Sequence, residues 1–342
     1  MRAEKSLGVV IVGGARGVSG EHLAAYRMLG QQARIIAICD KDEKKGTQVA
    51  SENGAIFTSD YEEMLAQPGI DIVDVCSPDP LHCEHVVKAA VKGYHILCEK
   101  PLAMSLEEAR RINEAVTSAG VKCMVGMVLR WQPYHMRICE LIRKGAIGEP
   151  VFARYQHTGC FFPYPKGSFN SRKEAKGQFL HNGVHFVDEI CDFLAAAPCS
   201  VYAVTQSHFT PEYSLETPNY CFASIGMSGG QIVEIEYNQL LVDPPCSGNY
   251  TRILIVGTTG TLEYADRAGK GLLLRRGNTL QPLPLSAPLE RGVGFAGEIE
   301  HFLECVRGNA SPAVPLDVSI RVLAACLGAL ESAATRRTIA IS

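Results

Sequence analysis

The chain carries little net charge: 33 Lys and Arg stand against 36 Asp and Glu, formally −3 at neutral pH. So small an imbalance gives no electrostatic case for nucleic acid or an anionic membrane surface. No apolar run reaches the roughly 18 residues that a spanning helix needs. The opening MRAEKSLGVVIVGG lacks a secretory signal's long apolar stretch and small-residue cleavage site; its short apolar run leads straight into a glycine loop. Among 13 cysteines there is no Cys-x-x-Cys pair. The cysteines are scattered, mostly in apolar runs (Cys39, Cys76, Cys98, Cys123). That spacing offers no metal knuckle, and reduced, buried thiols in a cytoplasmic protein are the expectation. Repeats, low-complexity tracts and linkers are missing too. What remains is a chain of 342 residues, 46% hydrophobic, which excludes disorder and suits two domains of ordinary size.

The first third alternates two patterns. Apolar, β-rich runs at 7–13, 33–39, 70–76, 94–98 and 121–126 are separated by helical stretches near 20–30, 42–52, 60–66, 80–92 and 105–119. Near-continuous apolar strands between helices predict a parallel sheet covered on both faces, the doubly wound α/β architecture. Ser105 and Glu108 form a capping box at the start of the last of these helices.

After the first run comes Gly13-Gly14-Ala15-Arg16-Gly17-Val18-Ser19-Gly20. Glycines here let the backbone turn sharply and approach a pyrophosphate, whose charge rests on the next helix's N-terminus. The spacing departs from strict G-x-G-x-x-G, with Ala15 in place of a glycine and a loop one residue longer. The second run ends in Asp40, where a carboxylate accepts hydrogen bonds from an adenosine ribose and repels a 2′-phosphate. NAD is therefore the expected cofactor; Lys41 softens that preference, so NADP stays open. Asp40 also suits the N-cap of the following helix. Two more strand ends complete the candidate cofactor contacts: Ser77, Pro78 and His82 after the run at 70–76, and Glu99 and Lys100 after the run at 94–98. Ligands of open α/β sheets sit at the strands' carboxyl ends. A lysine there can hydrogen-bond a substrate hydroxyl and favour its ionisation as hydride leaves the carbon, with Glu99 tuning the ammonium. An exposed loop ion pair is the competing reading.

These segments resemble a known family. The glycine turn, CSPDPLHCEHVVKAAVKGYHILCEKPLAMSLEEA (76–109), GAIGEPV (145–151) and GVHFVD (183–188) look like the glucose–fructose oxidoreductase, inositol dehydrogenase and rhizopine-catabolism (Gfo/Idh/MocA) family. The resemblance implies a Rossmann dinucleotide-binding domain, 1–127. It also implies a C-terminal α/β domain, 128–342, with a large, mostly antiparallel open sheet that covers the substrate and makes an oligomer interface. The chain after 127 agrees. A helix at 134–145 precedes strand-like runs at 151–159, 199–209, 219–227, 231–240, 251–266 and 271–276, with hairpin turns at Gly229-Gly230 and Thr258-Thr259-Gly260. Helices near 295–307 and 316–335 close it, the last expected to pack back on the first domain.

In FLHNGVHFVDE (179–189), His181 and His185 lie one helical turn apart. A metal pair, a structural core pair and a proton-transfer site are the three readings. No glutamate follows the first histidine as a zincin would require, and no third ligand stands nearby, so no metal is expected. The resemblance maps His185 onto the residue that shares proton transfer with the lysine, a role that suits an imidazole, whose unperturbed form titrates near neutrality. His181 departs from the family, which has an aspartate there. Lys100, His185 and His181 are the catalytic candidates. Arg130 and Trp131, which the resemblance places near nicotinamide and substrate, join Tyr164, Lys166, Asn182 and His185 as substrate candidates; Tyr164 and Lys166 lie in a loop whose aromatic and polar mixture suits a polyhydroxylated ligand. The expected function is hydride transfer between NAD(P) and a secondary alcohol of a sugar, polyol or cyclitol by a self-associating (dimeric or tetrameric) protein. The rivals are a glycosidase or lyase using transient oxidation, and a non-catalytic cofactor-binding regulator, against which Lys100 and His185 argue.

Overall fold

The computed structural model describes residues 6–15, 17–160, 173–207, 217–241, 250–266, 271–285 and 291–341. They form two compact units, Met1–Gln132 with Leu289–Ile320 and Pro133–Pro288 with Arg321–Ser342.

The first unit alternates β1 (Leu7–Val12), α1 (Ser19–Leu29), β2 (Ala33–Cys39), α2 (Glu43–Glu52), β3 (Ile56–Thr58), α3 (Tyr61–Leu65), β4 (Ile72–Val75), α4 (His82–Val91), β5 (His95–Glu99), α5 (Leu106–Ala119) and β6 (Cys123–Gly126). The sheet order is β3-β2-β1-β4-β5-β6, and every pairing is parallel. The order reverses between β1 and β4, which is where such sheets bind ligands. All six residues of β1 and all four of β4 are buried, so these strands lack a polar alternation: helices cover both faces. β3 is a three-residue edge strand that the sequence did not announce. At α5, Ser105 Oγ accepts from Glu108 N at 3.2 Å. Glu108 Oε2 accepts from Met104 N at 2.9 Å, one residue before the cap. The cap of α2 is Asp42, whose side chain accepts from Lys45 N; Asp40 is not the cap.

The second unit contains α6 (Pro133–Arg143), β7 (Pro150–Cys160), α7 (Gln178–Leu194), β8 (Pro198–Gln206), β9 (Tyr220–Met227), β10 (Ile232–Leu241), β11 (Tyr250–Gly257), β12 (Thr261–Ala265), β13 (Gly271–Arg276) and β14 (Thr279–Leu283). Then α8 (Arg291–Arg307) belongs to the first unit, while α9 (Leu316–Thr335) is divided between the two and β15 (Ile339–Ala340) closes the second. The nine strands run β14-β13-β12-β11-β7-β10-β9-β8-β15. All neighbours are antiparallel except β7 and β10. Strict alternation along β9 buries one face, and α7 packs on that face, with Phe186 stacked on Tyr155 at 4.6 Å. Helix α9 is, by length and composition, apolar enough to cross a membrane, which run length alone did not reveal. Half of its most apolar stretch is buried inside the fold, and Arg321 and Glu331 interrupt that stretch, the pattern of a core helix.

Candidate active site

The glycine turn is held at the carboxyl end of the sheet by its backbone. Gly13 N donates to Cys39 O at 2.8 Å and Gly14 N to the same oxygen at 3.3 Å. Gly13 sits at φ +78°, and a Cβ there would lie 2.5 Å from Ser77 Cα and 2.6 Å from Cys76 O. Only glycine leaves that space, which puts the turn backbone hard against the loop after β4. Gly17 is also left-handed, at φ +69°, but faces open space; Val18 precedes α1 without capping it through its side chain. Asp40 Oδ2 accepts from Ala15 N at 2.9 Å and Oδ1 from Asp42 N at 2.9 Å. The carboxylate thus ties the strand end to the glycine loop. Lys41 Nζ donates to Ser59 O at 3.0 Å, which turns its charge toward the edge of the sheet. Arg16 lies outside the described residues.

The loops after β4 and β5 are stitched together by a buried imidazole. His82 Nδ1 lies 2.7 Å from Pro101 O and Nε2 2.8 Å from Ser77 O. With both ring nitrogens on backbone carbonyls, His82 fixes the two loops rather than presenting an edge to a ligand. Ser77 Oγ bonds His85 Nδ1 at 2.8 Å, and burial pushes the His85 pKa down to about 4. Pro78 opens the short helical turn leading into α4. Lys100 follows β5 and retains partial exposure, while Glu99 is buried. Burial holds the Lys100 pKa below the ordinary lysine value, against the pull of Glu99 and Asp79. Glu99 Oε2 accepts from Lys100 N at 3.1 Å. Arg130 Nη1 donates to Ala313 O at 3.1 Å, and the Trp131 ring stands 5.7 Å from His301 and against Gly297 of α8. That indole is partly packed on the first unit's own helix.

In the second unit, α7 is buried along nearly its whole length. Its half-exposed residues are His181, Asn182, His185 and Asp192, which fall on one side of the helix. Asn182 Nδ2 donates to Tyr237 OH at 3.0 Å and to Gln178 Oε1 at 3.2 Å. Beneath them His157 stacks on Phe186 at 5.1 Å and on Tyr237 at 5.8 Å. Burial pushes the His157 pKa down to about 4, against the pull of Glu189. The far half of α7 is braced on α6. There His135 bridges Glu189 Oε1 at 2.9 Å and Asp192 Oδ2 at 2.8 Å, and Tyr134 and Tyr155 donate to Glu189 at 2.7 and 2.8 Å. Among the described residues, no third His, Cys, Asp or Glu ligand atom converges with the His181 and His185 pair. Tyr164 and Lys166 lie outside the described residues.

Two domain models of one family match this chain. One, described as an oxidoreductase family with an NAD-binding Rossmann fold, covers residues 7–127; the GFO/IDH/MocA C-terminal domain covers residues 135–263. The chain belongs to the GFO/IDH/MocA oxidoreductase family. It is thus an oxidoreductase whose cofactor is NAD. The inositol 2-dehydrogenase of Rubrobacter xylanophilus is 26% identical over 343 residues, spanning 97% of this chain and 92% of that one. The 2,7-anhydro-N-acetylneuraminate hydratase of Escherichia coli is 27% identical over 265 residues, 77% of this chain and 69% of that one. An oxidoreductase domain protein from Kribbella flavida has the same fold, with a TM-score of 0.89 at 21% identity over 99% of this chain and all of that one.

The residues present fit the GFO/IDH/MocA cofactor: the Gly13 turn is a backbone cradle that a Cβ would fill, and Asp40 stands beside it. Sequence reasoning missed three groups around these sites. One is His22 with Asp74, bonded across 52 positions, where His22 also reaches the expected Lys100 neighbour Glu99 across 77. Another is His157, hidden in a strand-like run. The last is the brace at His135. Their only advance signal is a polar residue in an apolar run, as in IDIVDVC (70–76), where Asp74 is fully buried.

Proposed function

We propose that this protein transfers hydride between NAD and a secondary hydroxyl or keto group of a sugar, polyol or cyclitol. Residues 1–127 carry the cofactor and 128–342 the substrate and self-association surfaces. The observation that carries the reading is Lys100, partly accessible and desolvated at the carboxyl end of β5, in a sheet whose Gly13 turn is shaped for a dinucleotide backbone. Bound NAD supplies a hydride acceptor. Gly13, Ala15, Gly17 and Asp40 hold it; Ser77, Pro78, His82 and Glu99 shape the loops around it. The Lys100 ammonium hydrogen-bonds the substrate hydroxyl and stabilises negative charge on its oxygen as hydride departs. His185, on the half-exposed side of α7, shares exchange of the hydroxyl proton with Lys100, with His181 one turn away orienting it; Asn182, its amide hydrogens engaged by Tyr237 and Gln178, offers its amide oxygen to a neighbouring hydroxyl. The relationship to an inositol 2-dehydrogenase supports the substrate class.

Lys100→Met and His185→Ala are each expected to lower kcat/KM on the substrate found in a polyol and sugar screen by orders of magnitude, with NAD affinity little changed. A Lys100→Met protein that keeps most of its rate would refute the assignment. A second reading, transient oxidation followed by elimination or hydration, is favoured by the relationship to a hydratase. Product formation without net NADH accumulation would select it.

Two finer features belong to the same proposal. The 11 cysteines whose side chains are described are all unbridged, which suits the reducing cytoplasm. Tyr202, Val204 and Ile232 are 42%, 46% and 55% exposed on the strands of the large sheet, apolar area that suits pairing with a second copy. Light scattering giving a monomeric mass at micromolar concentration would refute the pairing.

A further inference from the structure

Within the first unit, behind Lys100, lies a charged cluster in which every member is buried. His22, on α1, points Nδ1 at Asp74 Oδ2 of β4 at 2.8 Å and Nε2 at Glu99 Oε1 of β5 at 3.0 Å. The ring has no exposure at all. Tyr26, one turn further along α1, donates to Asp74 Oδ2 at 3.0 Å, and Cys76 Sγ stands 3.5 Å from Asp74 Oδ1. From the other side, α8 brings Phe295 to 5.3 Å from the His22 ring. It also brings the buried Glu298, whose charge reaches Tyr26. Gly126, at the end of β6, leaves room for Glu99: a Cβ there would lie 3.2 Å from Oε1.

The geometry suits a charged ring. The oxygens of ionised carboxylates only accept, so an imidazole between two of them donates from both nitrogens and carries a positive charge. Two buried carboxylates without that proton would leave two uncompensated charges in a low dielectric, an arrangement that proteins avoid. Burial opposes the charge on His22, but Asp74 and Cys76 outweigh it and the pKa stands well above the ordinary histidine value. Glu99 transmits the effect: one oxygen is held by His22, and the other accepts from the backbone N–H of Lys100.

We propose that His22 is a positioning residue for Lys100: its doubly donating ring fixes the Glu99 carboxylate that holds the Lys100 backbone and offsets its charge, easing release of the ammonium proton. Without that offset, Glu99 and Asp79, the anions that face the ammonium, bind the proton more tightly and the lysine becomes a poorer partner in proton exchange. This inference rests on the reading of Lys100 as a residue that, with His185, exchanges the hydroxyl proton.

The test reads Lys100 directly, without cofactor or turnover. Competitive acetylation by acetic anhydride across a pH series, with peptide mass spectrometry, gives the pH midpoint of amine reactivity. His22→Gln is expected to raise that midpoint by about one unit, the size of one neighbouring charge. In the Glu99→Gln background the same substitution should produce no shift. An unchanged midpoint in His22→Gln overturns the proposal, as does a shift of the same size without Glu99. If His22→Gln does not fold, the unmodified protein still decides. Nitrogen-15 histidine spectra at about pH 8 should show both His22 ring nitrogens protonated; one bare nitrogen overturns the proposal. Because Lys100→Met kinetics are separate, a retained rate there would sink the catalytic reading while leaving the measured coupling in place.

Discussion

His157→Phe should make the protein more resistant to acid. In the folded chain His157 is stacked on Phe186 and Tyr237, bonded to Thr251 Oγ1 at 3.1 Å and held to a pKa of about 4 by burial. Unfolded, the same imidazole titrates at 6.5. The fold therefore binds the proton less tightly than the unfolded chain. Its contribution is intact above the unfolded value and is lost as pH falls toward the folded one. From about pH 7.5 to about pH 5 that loss amounts to about 2 kcal/mol. Phenylalanine keeps the stack and cannot be protonated, so urea unfolding at the two pH values should show a stability drop smaller by about that amount. His22 and His135 act in the opposite sense. Their raised pKa values contribute stability below the unfolded value that is lost as pH rises through the folded one, and both are common to parent and variant. A pH dependence identical in the two proteins would refute the reasoning, whatever their absolute stabilities.

Three further outcomes are expected. Gly13→Ala meets both left-handed strain of about 1–2 kcal/mol and a backbone collision, whereas Gly17→Ala meets only the strain; equal losses of melting temperature and NAD affinity in the two would contradict the cradle. Asp40→Ala should weaken NAD more than NADP, while loosening the glycine loop through the lost Ala15 contact; tighter binding of NADP than NAD by the unmodified protein would count against this. His181→Asp should bind NAD normally yet move the acid limb of the pH–rate profile upward, because a carboxylate one turn from His185 favours imidazolium; an unmoved profile would show that the two rings do not communicate.

The order and type of elements in the first unit were legible in the residues because they depend on local pattern. Uninterrupted apolar runs announce strands buried on both faces, and the glycine-rich turn and the Ser105 cap mark where helices begin. The face of α7 carrying His181 and His185 was legible for the same reason, since spacing along a helix is a local property. The edge strands β3, β14 and β15 were not. Short edge strands carry little periodicity, and what makes them strands is the neighbour they pair with. The parallel pairing of β7 with β10 is likewise a matter of which strand lies beside which.

Residue identity alone therefore determined the class of protein: a dinucleotide cradle, a Glu-Lys-Pro strand end and a helix with two histidines on one side. Tertiary structure decided the state of those groups. His22 meets Asp74 and Glu99 only because α1, β4 and β5 converge, across separations of 52 and 77 residues. His157 is kept neutral only because Phe186 and Tyr237 cover it. Protonation depends on burial and on neighbouring charge, and both arise from contacts between segments far apart in the chain, which no local pattern encodes.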